Sequence, residues 1–232
     1  MSYSIFIHTH SSCDDALVMC LGQLDKYLPE VKRYVAIEKE TNTVSNENVI
    51  LYNDEDSYTE RLKSILPQID EDMILYLHED MILYDSPDTE ELSRVETYLR
   101  EHDSVMMVKL IATLGLTHEV APLIRDSNTH YKFVVQPTLW KKNKLEELAS
   151  GEKYSIWEME ERIQSKFSSV GLGYTYFRGS EKLRGQAHYD SVIFPYIATA
   201  IVKGKWNNLE YSSELNVLFD EYNVKSDRKM MV

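Results

Sequence analysis

Short apolar runs alternate with longer amphipathic segments along the first half of the chain. The runs occupy residues 4–10, 34–37, 49–52, 73–77 and 105–111. Runs of this length that end in polar residues are typical of buried strands, whereas apolar positions repeated every three to four residues are typical of helices. The alternation predicts βαβ units, and therefore an α/β fold with a mainly parallel central sheet and helices on both faces.

Capping residues and breaks suggest where the helices begin. Asp14 or Asp15 is expected to cap a helix that continues to residue 24, and Asp88 with Glu91 forms a capping-box pattern before another helix. The second half of the chain is less regular. Its predicted elements are a strand at 131–136 and helices at 141–150 and 156–167. No segment has the composition of a linker, so we expect one domain over residues 1–232.

The charge balance limits the partners of this chain. Its 232 residues include 25 Lys and Arg against 38 Asp and Glu, a net charge of −13. Nucleic acids and anionic membranes need a basic face, so neither is expected as a partner. A small anionic ligand would need a cation or a local basic pocket.

Cysteine usage and apolar run length bear on the compartment. Cys13 and Cys20 are the two cysteines, without a Cys-x-x-Cys or Cys/His cluster that would indicate zinc. The amino terminus does not have the pattern of a signal peptide. The longest apolar-rich run, residues 105–116, is shorter than the roughly 20 residues of a membrane span. We expect a cytoplasmic protein without a membrane span.

Polar residues follow four of the predicted strands. They are found at residues 8–10, 38–39, 53–56 and 78–80. Parallel α/β sheets bind ligands outside the carboxyl ends of their strands, so these residues predict a ligand site. The simpler alternative is that the loops are polar because they are solvated.

Glu79 and Asp80 lie between two apolar runs. Burying carboxylates costs several kcal/mol unless they are paired or bound to metal. At a strand end they suit Mg²⁺ or Mn²⁺ with open positions for phosphate oxygens. The alternative is a pair of solvated carboxylates in a turn.

The apolar strand that leads into His78-Glu79-Asp80 resembles the Asp-x-Asp site of GT-A-fold glycosyltransferases, which use sugar nucleotides. The resemblance implies that Asp80 holds Mn²⁺ or Mg²⁺ on the diphosphate and that Glu79 lies at the donor. His78 departs from the pattern, because it occupies the first acidic position, which usually faces the ribose or sugar of the donor.

Other segments extend this resemblance over most of the chain. Residues 49–62, 135–145, 154–160 and 201–206 resemble, in that order, GT-A-like proteins of large algal viruses and bacterial polysaccharide clusters. The resemblance implies a nucleotide-binding half near residues 1–115 and an acceptor-side half near 116–232. It also implies ligand roles for further residues: Thr9, Glu38, Asp54 and Arg61 at the nucleoside, and His188 as an extra metal ligand. The other histidines, among them His8 and His10, show no ligand spacing and are interpreted as structural or exposed.

Four side chains have a chemical interpretation of their own. Inverting transfer needs a carboxylate that takes the proton of the acceptor hydroxyl, and we favour Glu160 over Glu158 for that role. Trp157 offers an apolar platform to an acceptor sugar. Lys205 could neutralise a departing diphosphate. The alternatives are a solvated acidic helix face, a surface lysine, and for Arg61 an exposed arginine paired with a nearby acidic residue.

Together these features predict a metal-dependent glycosyltransferase. It would move a sugar from a nucleoside-diphosphate sugar, in the first place a UDP-sugar, to a hydroxyl of a glycan acceptor. Three alternatives stay open: a noncatalytic carbohydrate- or nucleotide-sugar-binding module, a sugar nucleotidyltransferase, and a glycoside hydrolase with two carboxylates. The second usually has a glycine-rich, basic loop after the first strand, and residues 11–15 have neither feature.

Overall fold

The computed structural model describes residues 2–113, 123–125, 132–176, 183–185 and 188–231. The strands in this part of the chain are β1 (Ser4–His8), β2 (Arg33–Ile37), β3 (Asn48–Leu51), β4 (Met73–His78), β5 (Val105–Lys109), β6 (Ala112–Thr113), β7 (Leu123–Arg125), β8 (Thr138–Lys141), β9 (Leu172–Tyr176), β10 (Leu183–Arg184), β11 (His188–Tyr189), β12 (Ile201–Val202) and β13 (Lys205–Trp206). The helices are α1 (Asp14–Tyr27), α2 (Tyr58–Ile65), α3 (Thr89–Glu101), α4 (Lys142–Ala149), α5 (Ile156–Arg162), α6 (Gln164–Val170) and α7 (Asn208–Tyr222).

Eight strands form a central sheet in the order β3-β2-β1-β4-β8-β5-β9-β7. Strands β1 to β4 pair in parallel, β8 runs antiparallel between β4 and β5, and β7 runs antiparallel to β9. The sheet is therefore mainly parallel, and helices cover both of its faces. The predicted α/β class with a mainly parallel central sheet is confirmed. A smaller sheet has the order β10-β11-β6, and β12 pairs with β13 as a hairpin.

The apolar runs are buried because the sheet is covered on both sides. Phe6, Leu75, Val108 and Leu139, from four neighbouring strands, are fully buried. Trp140 on β8, the antiparallel strand between β4 and β5, is among the largest buried side chains and fills the centre of the core. None of the described helices is both long and apolar enough to cross a membrane.

Two helices begin with the capping box that their sequences encode. The Ser57 side chain accepts from the Glu60 N–H at the start of α2, and the Ser155 side chain accepts from the Glu158 N–H at the start of α5. In each case the carboxylate of the glutamate accepts in turn from the backbone N–H of the serine. The Asp88 side chain likewise accepts from the backbone of the first turn of α3. These caps fix where α2 and α5 begin.

Three predictions about the helices and strands are wrong. The first is the strand at 131–136, because residues 132–136 are not a strand. Tyr131 and the predicted boundary between the halves near residue 115 lie outside the described residues. The backbone N–H of Val135 donates to the Glu160 carboxylate at 2.7 Å instead of entering a strand ladder. Neither Asp14 nor Asp15 caps α1, because both already lie in its first turn. The helix predicted over 156–167 is divided into α5 and α6 at Ile163.

Candidate functional site

The carboxyl ends of the first four strands meet at one edge of the sheet. His8, the last residue of β1, is in register with Ala36 of β2 on one side and with His78 of β4 on the other. Ile37 of β2 is in turn in register with Leu51 of β3. The four polar segments of the sequence therefore lie side by side, as the strand pattern predicts.

The loops after β1, β2 and β3 are joined through His10. The His10 Nδ1 atom accepts from the Ser12 N–H at 3.1 Å, so in the neutral ring the proton is on Nε2. That nitrogen lies 3.6 Å from a Glu38 oxygen and 3.5 Å from an Asp54 oxygen. Ser11 also donates to Glu38, from its backbone N–H at 2.9 Å and from its hydroxyl. Although burial opposes it, these bonds hold the pKa of Glu38 below its ordinary value.

Arg61 and Tyr52 form the next layer of this edge. The Arg61 guanidinium lies 4.7 Å above the centre of the Tyr52 ring and donates to an Asp54 carboxylate oxygen at 3.0 Å. It also donates to the backbone carbonyl of Asp56 at 2.9 Å. The Tyr52 hydroxyl donates to the carbonyl of Thr9 at 2.8 Å. The structure thus brings Thr9, Asp54 and Arg61 together, and Arg61 pairs with Asp54.

Two histidines stack across the ends of β1 and β4. The His8 ring stacks on Tyr52 at 5.1 Å and on His78 at 5.4 Å between ring centres. The Tyr76 hydroxyl lies 2.9 Å from His78 Nε2 and also contacts the hydroxyl of Tyr58. Burial lowers the pKa of His78 to about 4, so its ring is neutral near pH 7 and shares a hydrogen bond with the Tyr76 hydroxyl. His78 is therefore held within this aromatic group.

Glu79 and Asp80 follow His78 directly and are partly buried. The Glu79 carboxyl accepts hydrogen bonds from the side chains of Cys13 and Thr9. The Asp80 carboxyl accepts from the backbone N–H of Ile201, the first residue of β12. Burial raises the pKa of both carboxyls, and the charge of Asp80 raises that of Glu79 further. The charge of Arg228 opposes this rise at Asp80 without cancelling the effect of burial.

The donor set fits a hard divalent cation. Carboxylate oxygens are the preferred ligands of Mg²⁺ and suit Mn²⁺, and both metals accept water or phosphate oxygens in the remaining positions. Within the described residues no group of three or more His, Cys, Asp or Glu side chains could enclose a metal. Glu79 and Asp80 could therefore hold such an ion only with most of its coordination positions open to other ligands.

The hairpin β12–β13 lies beside Asp80. Lys203 and Gly204 connect its strands with positive φ values of 49° and 75°, the pattern of a tight type I′ turn. Lys205 follows and is exposed, whereas Trp206 is fully buried. The hairpin thus carries two lysines, Lys203 in its turn and Lys205 on β13, and the first residue of β12 contacts Asp80.

The two candidate bases on α5 have different surroundings. Glu158 is engaged in the capping box with Ser155, and its pKa is lowered by those bonds. Glu160 accepts from the Val135 N–H at 2.7 Å, and burial raises its pKa. The charge of Glu160 also acts on Tyr58 and Tyr76, which places it toward the histidine edge.

Trp157 lies on the same helix and is 73% exposed. The segment before it is fixed to α2, because the Thr59 N–H donates to the Tyr154 carbonyl and the Tyr154 N–H donates to the Thr59 hydroxyl. An exposed indole on a fixed helix can serve as a platform without rearrangement of the backbone.

His188 lies on β11, in the smaller sheet. Its Nδ1 lies 2.6 Å from the carbonyl of Gly185, and burial lowers the pKa of its ring. The charges that act on it come from Lys109 and Glu210. A role of His188 as a metal ligand stays a prediction.

Three residues of this edge are not recognised from the sequence alone. His10 is predicted to be structural or exposed, yet its side chain joins Glu38 to Asp54. Tyr52 has no motif around it, although an aromatic residue at a strand end is a weak signal. Arg228 donates to Asp15, and its charge reaches Asp80. No local spacing could have indicated a contact between residues 213 positions apart.

Comparisons with known proteins identify the fold. No family model matches the sequence, and no curated protein matches it. A cytidylyltransferase from Leptospira borgpetersenii is similar in structure, with 12% identity, complete coverage of both chains and a TM-score of 0.52. A CMP:2-keto-3-deoxy-manno-octonic acid synthetase complexed with CTP has 11% identity over 77% of this chain and 90% of its own, with a TM-score of 0.51.

A mannosyltransferase from Pyrobaculum calidifontis, in complex with GDP-Man and Mn²⁺, has 12% identity over 79% of this chain and 59% of its own, with a TM-score of 0.49. At these identities the comparisons establish the fold alone. The two matches with TM-scores above 0.5, to the cytidylyltransferase and the CMP:2-keto-3-deoxy-manno-octonic acid synthetase, show that it is a Rossmann-like GT-A/nucleotidyltransferase fold.

Proposed function

We propose that this chain is a metal-dependent glycosyltransferase. It would transfer a sugar from a nucleoside-diphosphate sugar, in the first place a UDP-sugar, to a hydroxyl of a glycan acceptor, in the cytoplasm and during polysaccharide synthesis. The observation that carries the proposal is a set of three carboxylates at one edge of the sheet. Glu79 and Asp80 follow β4, and the charge of Glu160 reaches Tyr76 of the same strand.

The first half of the chain would hold the nucleoside. Glu38 and Asp54 are fixed acceptors for the N–H or hydroxyl groups of a nucleoside, since Ser11 and His10 orient the first and Arg61 the second. Thr9 lies at the end of the central strand, between these acceptors and Glu79. His78, next in line, would face the ribose or sugar as a neutral group.

Asp80, together with Glu79, would hold Mn²⁺ or Mg²⁺. When bound, the cation would offset the negative charge that develops on the leaving diphosphate. The Ile201 N–H fixes one oxygen of Asp80, and Lys205 on the same hairpin would pair with the diphosphate as it leaves. His188 remains our candidate for an additional ligand from the second half.

Glu160 would accept the proton of the acceptor hydroxyl. The Val135 N–H holds one of its oxygens and leaves the other to receive that proton. A carboxyl whose pKa is raised by burial is a stronger base than an exposed one, as general base catalysis requires. Transfer with Glu160 as the base of the acceptor hydroxyl would invert the anomeric centre. Trp157 would support the acceptor sugar on the exposed face of α5.

The first turn of α1 favours a glycosyltransferase over a nucleotidyltransferase. A nucleoside triphosphate bound after β1 would need unengaged donors and positive charge at this helix end. The turn instead carries Asp14, which accepts from the hydroxyls of Thr41 and Thr43, and Asp15, which pairs with Arg228. These carboxylates would repel a triphosphate.

A donor screen tests the proposal. UDP-, GDP- and dTDP-sugars are incubated with the protein, and release of the nucleoside diphosphate is measured with Mn²⁺, with Mg²⁺ and with EDTA. We expect metal-dependent release that Asp80→Asn abolishes. Release of pyrophosphate from CTP, UTP or dTTP with a sugar 1-phosphate would instead establish a nucleotidyltransferase. Calorimetric binding of a sugar nucleotide without turnover would establish a noncatalytic module.

A further inference from the structure

The C-terminal segment after α7 returns to the candidate site. Asn223 ends the helix with a left-handed φ of 48°, and the chain then runs back to the hairpin β12–β13. The backbone N–H of Trp206 donates to the Lys229 carbonyl at 2.9 Å, and the backbone N–H of Met231 donates to the Trp206 carbonyl at 2.9 Å. We call residues 224–231 the C-terminal strap. The strap is therefore bound to the hairpin by backbone hydrogen bonds.

Arg228 connects the strap to the start of α1. Its guanidinium donates to both carboxylate oxygens of Asp15, from Nε at 3.1 Å and from Nη2 at 3.0 Å. It also reaches the carbonyls of Ser12 at 3.3 Å and Gly204 at 3.4 Å. Ser226 donates a further hydroxyl bond to Asp15. A bidentate, mostly buried ion pair between an arginine and a carboxylate is among the stronger contacts between side chains, so this is a fixed connection.

The connection reaches both carboxylates of the proposed metal site. On one side Arg228 holds Gly204, in the turn of the hairpin whose Ile201 N–H donates to Asp80. On the other side it holds Ser12, whose neighbour Cys13 contacts Glu79. The hairpin and the start of α1 are thereby held against each other at the point where Glu79 and Asp80 lie.

We infer that the C-terminal strap is a working part of the metal and diphosphate site, in which Arg228 is a positioning residue that holds the hairpin β12–β13 beside Asp80. The inference rests on the proposed function for its metal. Loss of the arginine fork would release the turn at Gly204, and the Ile201 N–H and Lys205 would lose their fixed places. The effect would be on binding of the metal and diphosphate, with little on the nucleoside side near Arg61.

Hydrogen exchange and metal binding test this inference together. The variants are Arg228→Met, Arg228→Lys, which keeps the charge but not the fork, and Asp15→Asn, which removes the partner charge. Arg94→Met is the matched control, because Arg94 forms exposed ion pairs on α3. Exchange is measured without ligand on peptides covering residues 199–207. Affinity for Mn²⁺ with UDP is measured by calorimetry, and affinity for uridine alone is measured alongside it.

We expect exchange in residues 199–207 to be about tenfold faster in Arg228→Met, as for the loss of one charge-assisted contact. Affinity for Mn²⁺ with UDP is expected to fall about tenfold, with a smaller fall in Arg228→Lys and none in Arg94→Met. Affinity for uridine should not change. If Arg228→Met does not fold, Arg228→Lys and Asp15→Asn provide the same comparison.

Three results would contradict the inference. Unchanged exchange in residues 199–207 would show that the strap does not hold the hairpin, whatever the metal result. Faster exchange with unchanged affinity for Mn²⁺ and UDP would show that the strap has no role in the site. Failure of the unmodified protein to bind Mn²⁺ with UDP would contradict the proposed function and the strap's role in that site, and the exchange rates would still measure whether Arg228 holds the hairpin.

Discussion

Glu158 and Glu160 lie two residues apart on α5, and their substitution should have opposite consequences. Glu160→Gln keeps an oxygen that can accept from the Val135 N–H, which lies 2.7 Å from the present carboxylate. The fold should therefore be retained while the base is lost. Glu158→Ala removes the capping box with Ser155 and leaves the carboxylate of Glu160 in place. The first change should affect turnover and the second stability.

The magnitudes follow from these contacts. Loss of a general base lowers turnover by about 10² to 10⁴-fold, so we expect that range for Glu160→Gln. Glu158→Ala leaves Ser155 as the N-cap and removes the bonds that Glu158 accepts from it, so we expect a loss of about 0.5 kcal/mol, which corresponds to about 1–2 °C in Tm for a chain of this size. Glu160→Ala should show both effects, because it also leaves the Val135 N–H without its acceptor, at a cost of about 1–3 kcal/mol.

The assay is steady-state release of nucleoside diphosphate, combined with thermal unfolding and calorimetry of UDP. Glu161→Gln is the matched control, because Glu161 is exposed on the same helix. We expect Glu160→Gln to bind UDP as the unmodified protein does. A Glu158→Ala variant that loses turnover at unchanged Tm, together with an active Glu160→Gln variant, would refute the assignment of the base.

Three further predictions concern charge and packing. Asp80→Asn should abolish binding of Mn²⁺ by calorimetry without lowering Tm, because it removes one of two mutually repelling carboxylates. In EDTA, the free energy of unfolding of the unmodified protein should fall relative to that of Asp80→Asn as pH rises from about 4 to neutrality, because the raised pKa values of Glu79 and Asp80 make the folded state bind more protons than the unfolded state. Saturating Mn²⁺ should remove that pH dependence. Parallel stability profiles of the two proteins against pH, measured in EDTA, would contradict the prediction. Gly22→Ala should lower stability by about 1–3 kcal/mol, since its Cβ would lie 2.1 Å from Tyr222 Cε1, and Tyr222→Leu should relieve part of that loss in denaturant titrations.

The parallel half of the fold could be predicted because its signals are local. The strand over 73–77 is an uninterrupted apolar run, and Asp88 marks the start of α3 by a capping pattern within four residues. The position of Glu79 and Asp80 follows from the same logic, since a parallel strand must end at the ligand-binding edge. Each of these inferences needs only neighbours in sequence.

The remainder of the site depends on contacts that are remote in sequence. The run at 132–136 has the composition of a strand, but Val135 donates to a carboxylate 25 residues away instead. His10 is recognisable only when Glu38 and Asp54 are placed beside it by β2 and β3. Tertiary pairing decides these positions, and a pattern of apolar spacing contains no information about it.

Two arginines at the candidate site are already paired with carboxylates, which limits how a chain of net charge −13 could bind a diphosphate. Arg61 pairs with Asp54, and Arg228 pairs with Asp15. Either arginine could turn to a phosphate only by leaving its carboxylate without a partner, which costs more for the mostly buried Asp15 than for the half-exposed Asp54. The hairpin lysines, Lys203 and Lys205, are exposed, whereas Glu79 and Asp80 are adjacent carboxyl groups whose pKa values are raised by burial. We therefore propose that a diphosphate binds at this edge together with a cation from solution, which Glu79 and Asp80 would hold.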